Sequence, residues 1–110
     1  MMPTTLHDRE QAFEAKFAHD EGLRFLVAAR RDKLFATWAA KTLHLSDDDG
    51  AALTTAILAI PDRANHNDAL LARVADLFAS KAYPVSRGVL AASFNDCWKQ
   101  ARQQLMAEPG

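Results

Sequence analysis

The sequence predicts an all-α fold, a small antiparallel four-helix bundle with an additional N-terminal helical arm. Three observations support this prediction. The β-branched residues are few and scattered, and no run in the 110 residues alternates apolar and polar side chains over the length of a strand. Apolar residues instead recur at helical spacing in several successive segments. Short loops marked by Pro and by capping residues separate these segments, which favours antiparallel neighbours.

The first bundle helix is predicted from Leu23 to Leu45. Arg30 and Lys41 border the face on which its apolar side chains lie. The predicted positions on this face are Leu23, Leu26, Val27, Leu34 and Trp38. Gly22 precedes them, where it either forms a hinge or weakens a continuous helix by about 1 kcal/mol relative to Ala. We therefore divide the chain into an arm, residues 1–21, either mobile or a short helix, and a bundle, residues 22–110.

The second bundle helix is predicted to begin after Ser46. Asp49 follows Ser46 at the spacing of a capping box, and the acidic residues at this end complement the helix dipole. Pro61 ends the helix because proline disfavours helical geometry at the residue before it. The narrow apolar stripe of this helix consists of Leu53, Ile57 and Ile60.

Two further helices are predicted after a loop at residues 61–68. Asn67 is the expected cap of the first, which has the clearest amphipathic pattern in the chain: Leu70, Leu71, Val74, Leu77 and Phe78. Tyr83 and Pro84 end the helical pattern, and Ser86 is the expected cap of the last helix. The buried face of the last helix is predicted to contain Leu90, Phe94, Cys97, Trp98, Ala101 and Leu105.

The segment before Gly22 has little apolar surface and many charges. Leu6, Phe13 and Phe17 lie seven and then four residues apart, so on a helix they form one narrow stripe. A stripe this thin does not stabilise an isolated helix, which indicates that the segment binds a partner. The residues assigned to this binding surface are Leu6, Asp8, Arg9, Glu10, Phe13, Glu14, Lys16 and Phe17. Two aromatic residues at this spacing would by themselves favour a short helix folded back onto the bundle.

Composition limits the classes of function. The net charge of −1, without a basic stripe, argues against nucleic acid as a partner. The single cysteine, Cys97, falls on an apolar stripe without an activating neighbour, which favours a core position over a nucleophile. The four histidines are isolated, and no metal-ligand or phosphate-loop motif is present. We expect no catalytic residue, no metal site and no cofactor, and neither export nor membrane insertion.

Arg30 and Arg31, with Lys33 and His44, are the one indication of a ligand in the bundle. Such a cationic cluster can attract the phosphates of ATP or ADP weakly. A solvent-exposed helix face is the favoured interpretation, since arginines are mostly exposed. Weak nucleotide binding at Arg30 and Arg31 is kept as an alternative.

A long ordered signature lies near the N-terminus, in HDREQAFEAKFAHDEGLRF followed by ARRDKLFATWAAKTLHLS. Between Leu6 and Ser46 the chain closely resembles the zeta subunit of the F-type ATP synthase of α-proteobacteria. The DRE, AFEAKFAHDE, ARRDKL and WAA elements occur in order, which is far more specific than a short motif. Order and spacing agree more loosely to the C-terminus. The differences, such as those at Gly22 and Leu26, lie mostly in the bundle.

The resemblance implies a small helical inhibitor of ATP hydrolysis that is not itself an enzyme. The implied partners are the α, β and γ subunits of the catalytic head, with the N-terminal segment inserted at their interface. It further implies a monomer when free, located in the cytoplasm and peripheral to the inner membrane through the ATP synthase. Composition leaves two alternatives, a helical adaptor or assembly protein with a docking arm and a weak nucleotide-binding sensor.

Overall fold

The computed structural model describes residues 21–108, which form four helices and no strand within that range. The helices are α1 (Glu21–Thr42), α2 (Asp47–Leu58), α3 (His66–Ser80) and α4 (Arg87–Ala107). α1 packs against both α2 and α4, and α3 packs against α4. The predicted all-α bundle is confirmed, whereas the additional arm lies outside the described residues. Within residues 21–108, no helix combines the length and the apolarity needed to cross a membrane.

Aromatic rings from three helices meet in the core. Phe35 of α1 is fully buried, stacks on Trp38 at a centroid distance of 5.4 Å, and meets the edge of Phe94 of α4 at 5.2 Å. Trp38 in turn stacks on Phe78 of α3 at 5.8 Å. Such pairs contribute about 0.5–1.5 kcal/mol each beyond the area they bury. From α2, Ile57 is fully buried in the same cluster, so all four helices share one core.

The predicted apolar faces of α2, α3 and α4 are confirmed, except that Ile60 lies beyond the end of α2 and is only partly buried. Their buried positions are Leu53, Ile57, Leu70, Val74, Phe78, Leu90, Phe94, Cys97 and Ala101. The interpretation of Cys97 as a core residue is also confirmed, since it is 5% exposed. Burial raises the pKa of the Cys97 thiol, and the charge of Asp96 adds to this effect. The thiol is therefore not an activated nucleophile.

Serine caps begin α2 and α4 as predicted. The Oγ of Ser46 accepts a hydrogen bond of 3.1 Å from the backbone N–H of Asp49. The Oγ of Ser86 accepts one of 3.1 Å from the N–H of Val89. Each bond satisfies a backbone donor that the helix itself leaves without a partner, and such a cap contributes about 1 kcal/mol.

α1 ends at Thr42 and not at the predicted Leu45. His44 adopts a left-handed conformation with φ of 55°. The N–H of Leu45 then donates to the carbonyl of Ala40 at 2.9 Å, and the N–H of His44 donates to that of Lys41 at 3.2 Å. These two bonds are those of a Schellman motif, which satisfies the last carbonyls of a helix and turns the chain away.

α3 ends in the same way, with an alanine in the left-handed position. Ala82 has φ of 54°, and the N–H of Tyr83 donates to the carbonyl of Phe78 at 3.0 Å.

Because a Cβ is unfavourable at this φ, we expect Ala82→Gly to raise the free energy of unfolding by about 0.5–1 kcal/mol. Urea denaturation measures the change. Ala79→Gly, inside α3, is the matched control and is expected to lower stability by about 1 kcal/mol; a loss of stability in both variants would contradict the prediction.

The predicted roles of Leu26 and Asn67 are wrong. Leu26 was expected in the core, but it is 51% exposed while its neighbour Val27 is fully buried. Val27 packs against Ala101 of α4, whereas the side chain of Leu26 points about 100° away from it around the helix and stays half exposed. Asn67 was expected to cap α3, but α3 begins at His66 after Asn65, which makes no side-chain cap hydrogen bond. The side chain of Asn67 instead turns towards α1.

Candidate functional site

The eight residues predicted to bind a partner, from Leu6 to Phe17, lie outside the described residues. The described part of the chain begins at Glu21, in α1. The division of the chain at residue 21 stays a prediction. The other two predicted site residues, Arg30 and Arg31, lie within α1.

The first half of α1 is held against the second half of α4. Val27 and Ala101 are both fully buried there, and Leu23, Leu34, Trp98 and Leu105 pack around them. Arg30 also forms an ion pair with Glu108, just beyond α4. The two side chains are 32% and 49% exposed, so this pair contributes little to stability. Apolar packing therefore fixes the end of the bundle to which the N-terminal segment is attached.

The expectation of a solvent-exposed face is wrong for Arg31, which is only 7% exposed. Its guanidinium carbon lies 4.2 Å from the ring centroid of Phe94 and 5.5 Å from that of Trp98. Cation–π contacts of this kind contribute about 2 kcal/mol when they are desolvated. Arg31 is buried because it lies one turn before the buried Phe35 and shares its face of the helix. Nucleotide binding at Arg30 and Arg31 stays a prediction.

A polar network joins α1 to the start of α3. Arg31 Nε donates to Asp32 Oδ1 at 3.0 Å, and Arg31 Nη2 donates to Asn67 Oδ1 at 3.0 Å. His66 Nε2 lies 2.7 Å from Asp32 Oδ2, and His66 Nδ1 lies 3.0 Å from the backbone oxygen of Pro61. The side chains of Arg31, Asp32 and His66 are 8%, 6% and 13% exposed. The buried charges of Arg31 and Asp32 are therefore paired, as their burial requires.

An open groove of about 690 Å³ lies beside this network. Its lining includes Arg24, Phe25, Ala28, Asp62, Arg63 and Asn95. With Arg31 also in the wall, the lining contains three arginines and one aspartate, and the 56% exposed ring of Phe25 adds an apolar surface. Such a lining suits an anionic or aromatic group. Among residues 21–108, no three His, Cys, Asp or Glu side chains lie close enough to hold a metal ion.

Comparison with protein families identifies the chain. A family model described as ATPase inhibitor subunit zeta matches residues 2–104. The chain belongs to this family. The match to the zeta family includes the N-terminal segment with its predicted binding residues and nearly the whole bundle, so the resemblance seen in the sequence is confirmed. A search of curated proteins and a search of solved structures found no match.

Sequence reasoning missed the network that Asp32, His66 and Asn67 form in this zeta-family chain. Asp32 and His66 are 34 positions apart, and Arg31 and Asn67 are 36 apart, so no local spacing connects them. One signal was available. Arg31 lies one turn from Phe35 on the core face of α1, and a buried arginine requires an acidic or polar partner. That signal indicates that a partner exists but does not say which residue it is.

Proposed function

We propose that this chain inhibits ATP hydrolysis by the F-type ATP synthase. One observation carries the proposal, the match of residues 2–104 to the ATPase inhibitor subunit zeta family. Because the match includes the N-terminal segment, the part of the chain to which inhibition is assigned belongs to the family as well. The role is regulatory and requires no catalytic residue in the chain itself.

The arm, residues 1–21, is the inhibitory element in this proposal. It enters the interface of the α and β subunits at one catalytic site, next to the rotating γ subunit. Phe13 and Phe17, with Leu6, are the buried anchors, and the charged residues fix the register of the arm in the cleft. These charged residues are Asp8, Arg9, Glu10, Glu14 and Lys16. The arm becomes helical in the cleft, at a cost of about 2–5 kcal/mol of ordering.

A direction-dependent block follows from an arm of this kind. An arm wedged beside γ opposes rotation in the direction of hydrolysis and is expelled by rotation in the direction of synthesis. The bundle provides the rigid support to which the arm is attached. The packing of Val27 against Ala101 supports this role, because it fixes the first half of α1, from which the arm extends, to α4.

The proposed partners are the α, β and γ subunits, and the free chain is a monomer. Its place is the cytoplasm, peripheral to the inner membrane through the ATP synthase. The family description supports an association with an ATPase. The net charge of −1 agrees with a protein partner and not with nucleic acid.

The activity of the enzyme in each direction tests this proposal. Addition of the full chain to the purified catalytic head should reduce ATP hydrolysis. In membrane vesicles with an imposed proton gradient, ATP synthesis by the complete enzyme should persist at the same concentration of the chain. Hydrolysis that stays unchanged at every concentration would contradict inhibition, and equal loss of synthesis would contradict the direction-dependent block.

Weak ATP or ADP binding is a second proposal, favoured by the cationic groove. Arg31 contributes to that groove together with Arg24 and Arg63, and Phe25 offers a ring for stacking. The test is a titration of the full chain with ATP in which the chemical shifts of these residues are monitored by NMR. Unchanged spectra would contradict the proposal. An adaptor with a docking arm is the remaining alternative, and the match to an inhibitor family makes it the weaker one.

A further inference from the structure

Each ring nitrogen of His66 faces a group that only accepts hydrogen bonds. Nε2 lies 2.7 Å from the carboxylate oxygen Oδ2 of Asp32, and Nδ1 lies 3.0 Å from the backbone oxygen of Pro61. The side chain of His66 is 13% exposed, so little of it is open to solvent. A neutral imidazole has one N–H and can donate to only one of these oxygens. The imidazolium has two and satisfies both.

We propose that His66 is a proton-controlled latch that fixes the loop at residues 59–65 and the start of α3 to α1. Protonated His66 donates to Pro61 in the loop and to Asp32 in α1 at the same time. When the ring is neutral, one acceptor loses its donor and an oxygen faces the lone pair of a ring nitrogen, which weakens the contact. The loop, which carries Asp62 and Arg63, then separates from α1 and the groove widens.

The contacts of His66 with Asp32 and Pro61 favour its protonated form, whereas the charge of Arg31 opposes it. The charged side chains that line the groove with His66 are Arg24, Arg31, Asp62 and Arg63, and the lining residues from α4 are uncharged. Along α3, the nearest charged residue in sequence is Asp68. Burial lowers the pKa of His66, and the charge of Arg31 lowers it further. The hydrogen bonds to Asp32 and Pro61 and the charge of Asp32 outweigh both effects, so the pKa lies above its ordinary value of 6.5.

The direction of the pH effect follows from the higher pKa of His66 in the folded chain. A group whose pKa is raised by folding contributes its full stabilisation below its unfolded pKa. The latch is therefore closed below pH 6.5 and opens as the pH rises through the pKa of His66 in the folded protein. Because it rests on contacts inside the bundle, the latch does not depend on the proposed inhibition of the ATP synthase.

NMR spectroscopy of the full chain between about pH 5 and 9 tests the latch. The side-chain signals of His66 give its titration midpoint in the folded chain and in the chain unfolded by urea. Hydrogen exchange of the amides at residues 62–70 gives the opening equilibrium of the loop and of the first turn of α3. His66→Asn removes the latch. His44→Asn is the matched control, because His44 is exposed and Asn tolerates its φ of 55°.

We expect the midpoint of His66 to be higher in the folded chain than in the unfolded chain. Between these two midpoints the opening constant should rise by up to about tenfold per pH unit in the parent chain and in His44→Asn. In His66→Asn this rise should be absent. A folded midpoint equal to or below the unfolded one would overturn the proposal, and so would the same rise in His66→Asn. The titration of the parent chain decides the question even if His66→Asn does not fold.

Discussion

Replacement of both Phe13 and Phe17 by Ala is expected to weaken inhibition of ATP hydrolysis at least about 30-fold, equivalent to about 2 kcal/mol of binding free energy. In the proposed complex these two rings are the largest apolar groups that the arm buries in the catalytic head. Aromatic anchors in desolvated pockets commonly contribute this much or more. The measurement is the concentration of the chain that halves hydrolysis by the purified head.

Phe25→Ala is the matched control for this double substitution. It also removes a phenylalanine ring, but from the bundle, where the residue is 56% exposed. We expect the Phe25→Ala chain to inhibit as strongly as the parent chain, with the same helical content by circular dichroism. If Phe25→Ala weakened inhibition equally, the bundle would contribute to the binding free energy. Full inhibition by the double variant would show that Phe13 and Phe17 are not anchors in the interface.

Asp32→Ala is expected to lower the free energy of unfolding by about 3–5 kcal/mol. The substitution leaves the guanidinium of Arg31, which is 7% exposed, without its buried counter-charge, and it deprives His66 of its acceptor at 2.7 Å. A small domain is stable by only about 5–15 kcal/mol, so the loss is a large fraction of the total. Urea denaturation followed by circular dichroism measures the change.

Asp76→Ala is the control for the charge itself. Asp76 is exposed on α3, and its removal should change stability by less than about 0.5 kcal/mol. A second variant separates the loss of the ion pair from the general effect of substitution in the core. Arg31→Met combined with Asp32→Ala removes both charges and should be less destabilised than Asp32→Ala alone. An equal loss of stability in Asp32→Ala and Asp76→Ala would contradict the role of the buried pair.

The helices and much of the core could be predicted because their signals are local. The Ser46 and Ser86 caps precede their helices by one residue, and the apolar repeat from Leu70 to Phe78 marks one face without the rest of the fold. The family signature was also readable, because it lies in one continuous stretch of the chain.

The errors arose where a residue had two uses that the local sequence does not distinguish. Leu26 and Val27 are both apolar, and only the position of α4 decides which of the two is buried. Asn67 is a good capping residue, but it accepts a hydrogen bond from Arg31, which lies 36 positions away. The pairing of His66 with Asp32 likewise depends on how α3 packs beside α1. Contacts of this range cannot be obtained from spacing in a single sequence.

ATP hydrolysis by the purified catalytic head, measured with the full chain and with a chain that begins at His19, tests the role of the arm most directly. The shorter chain retains all the residues that pack in the described bundle. Circular dichroism and urea denaturation should therefore show that it folds as the full chain does. We predict inhibition by the full chain and none by the folded shorter chain. Inhibition of equal strength by both would contradict the proposal that the N-terminal segment is the inhibitor.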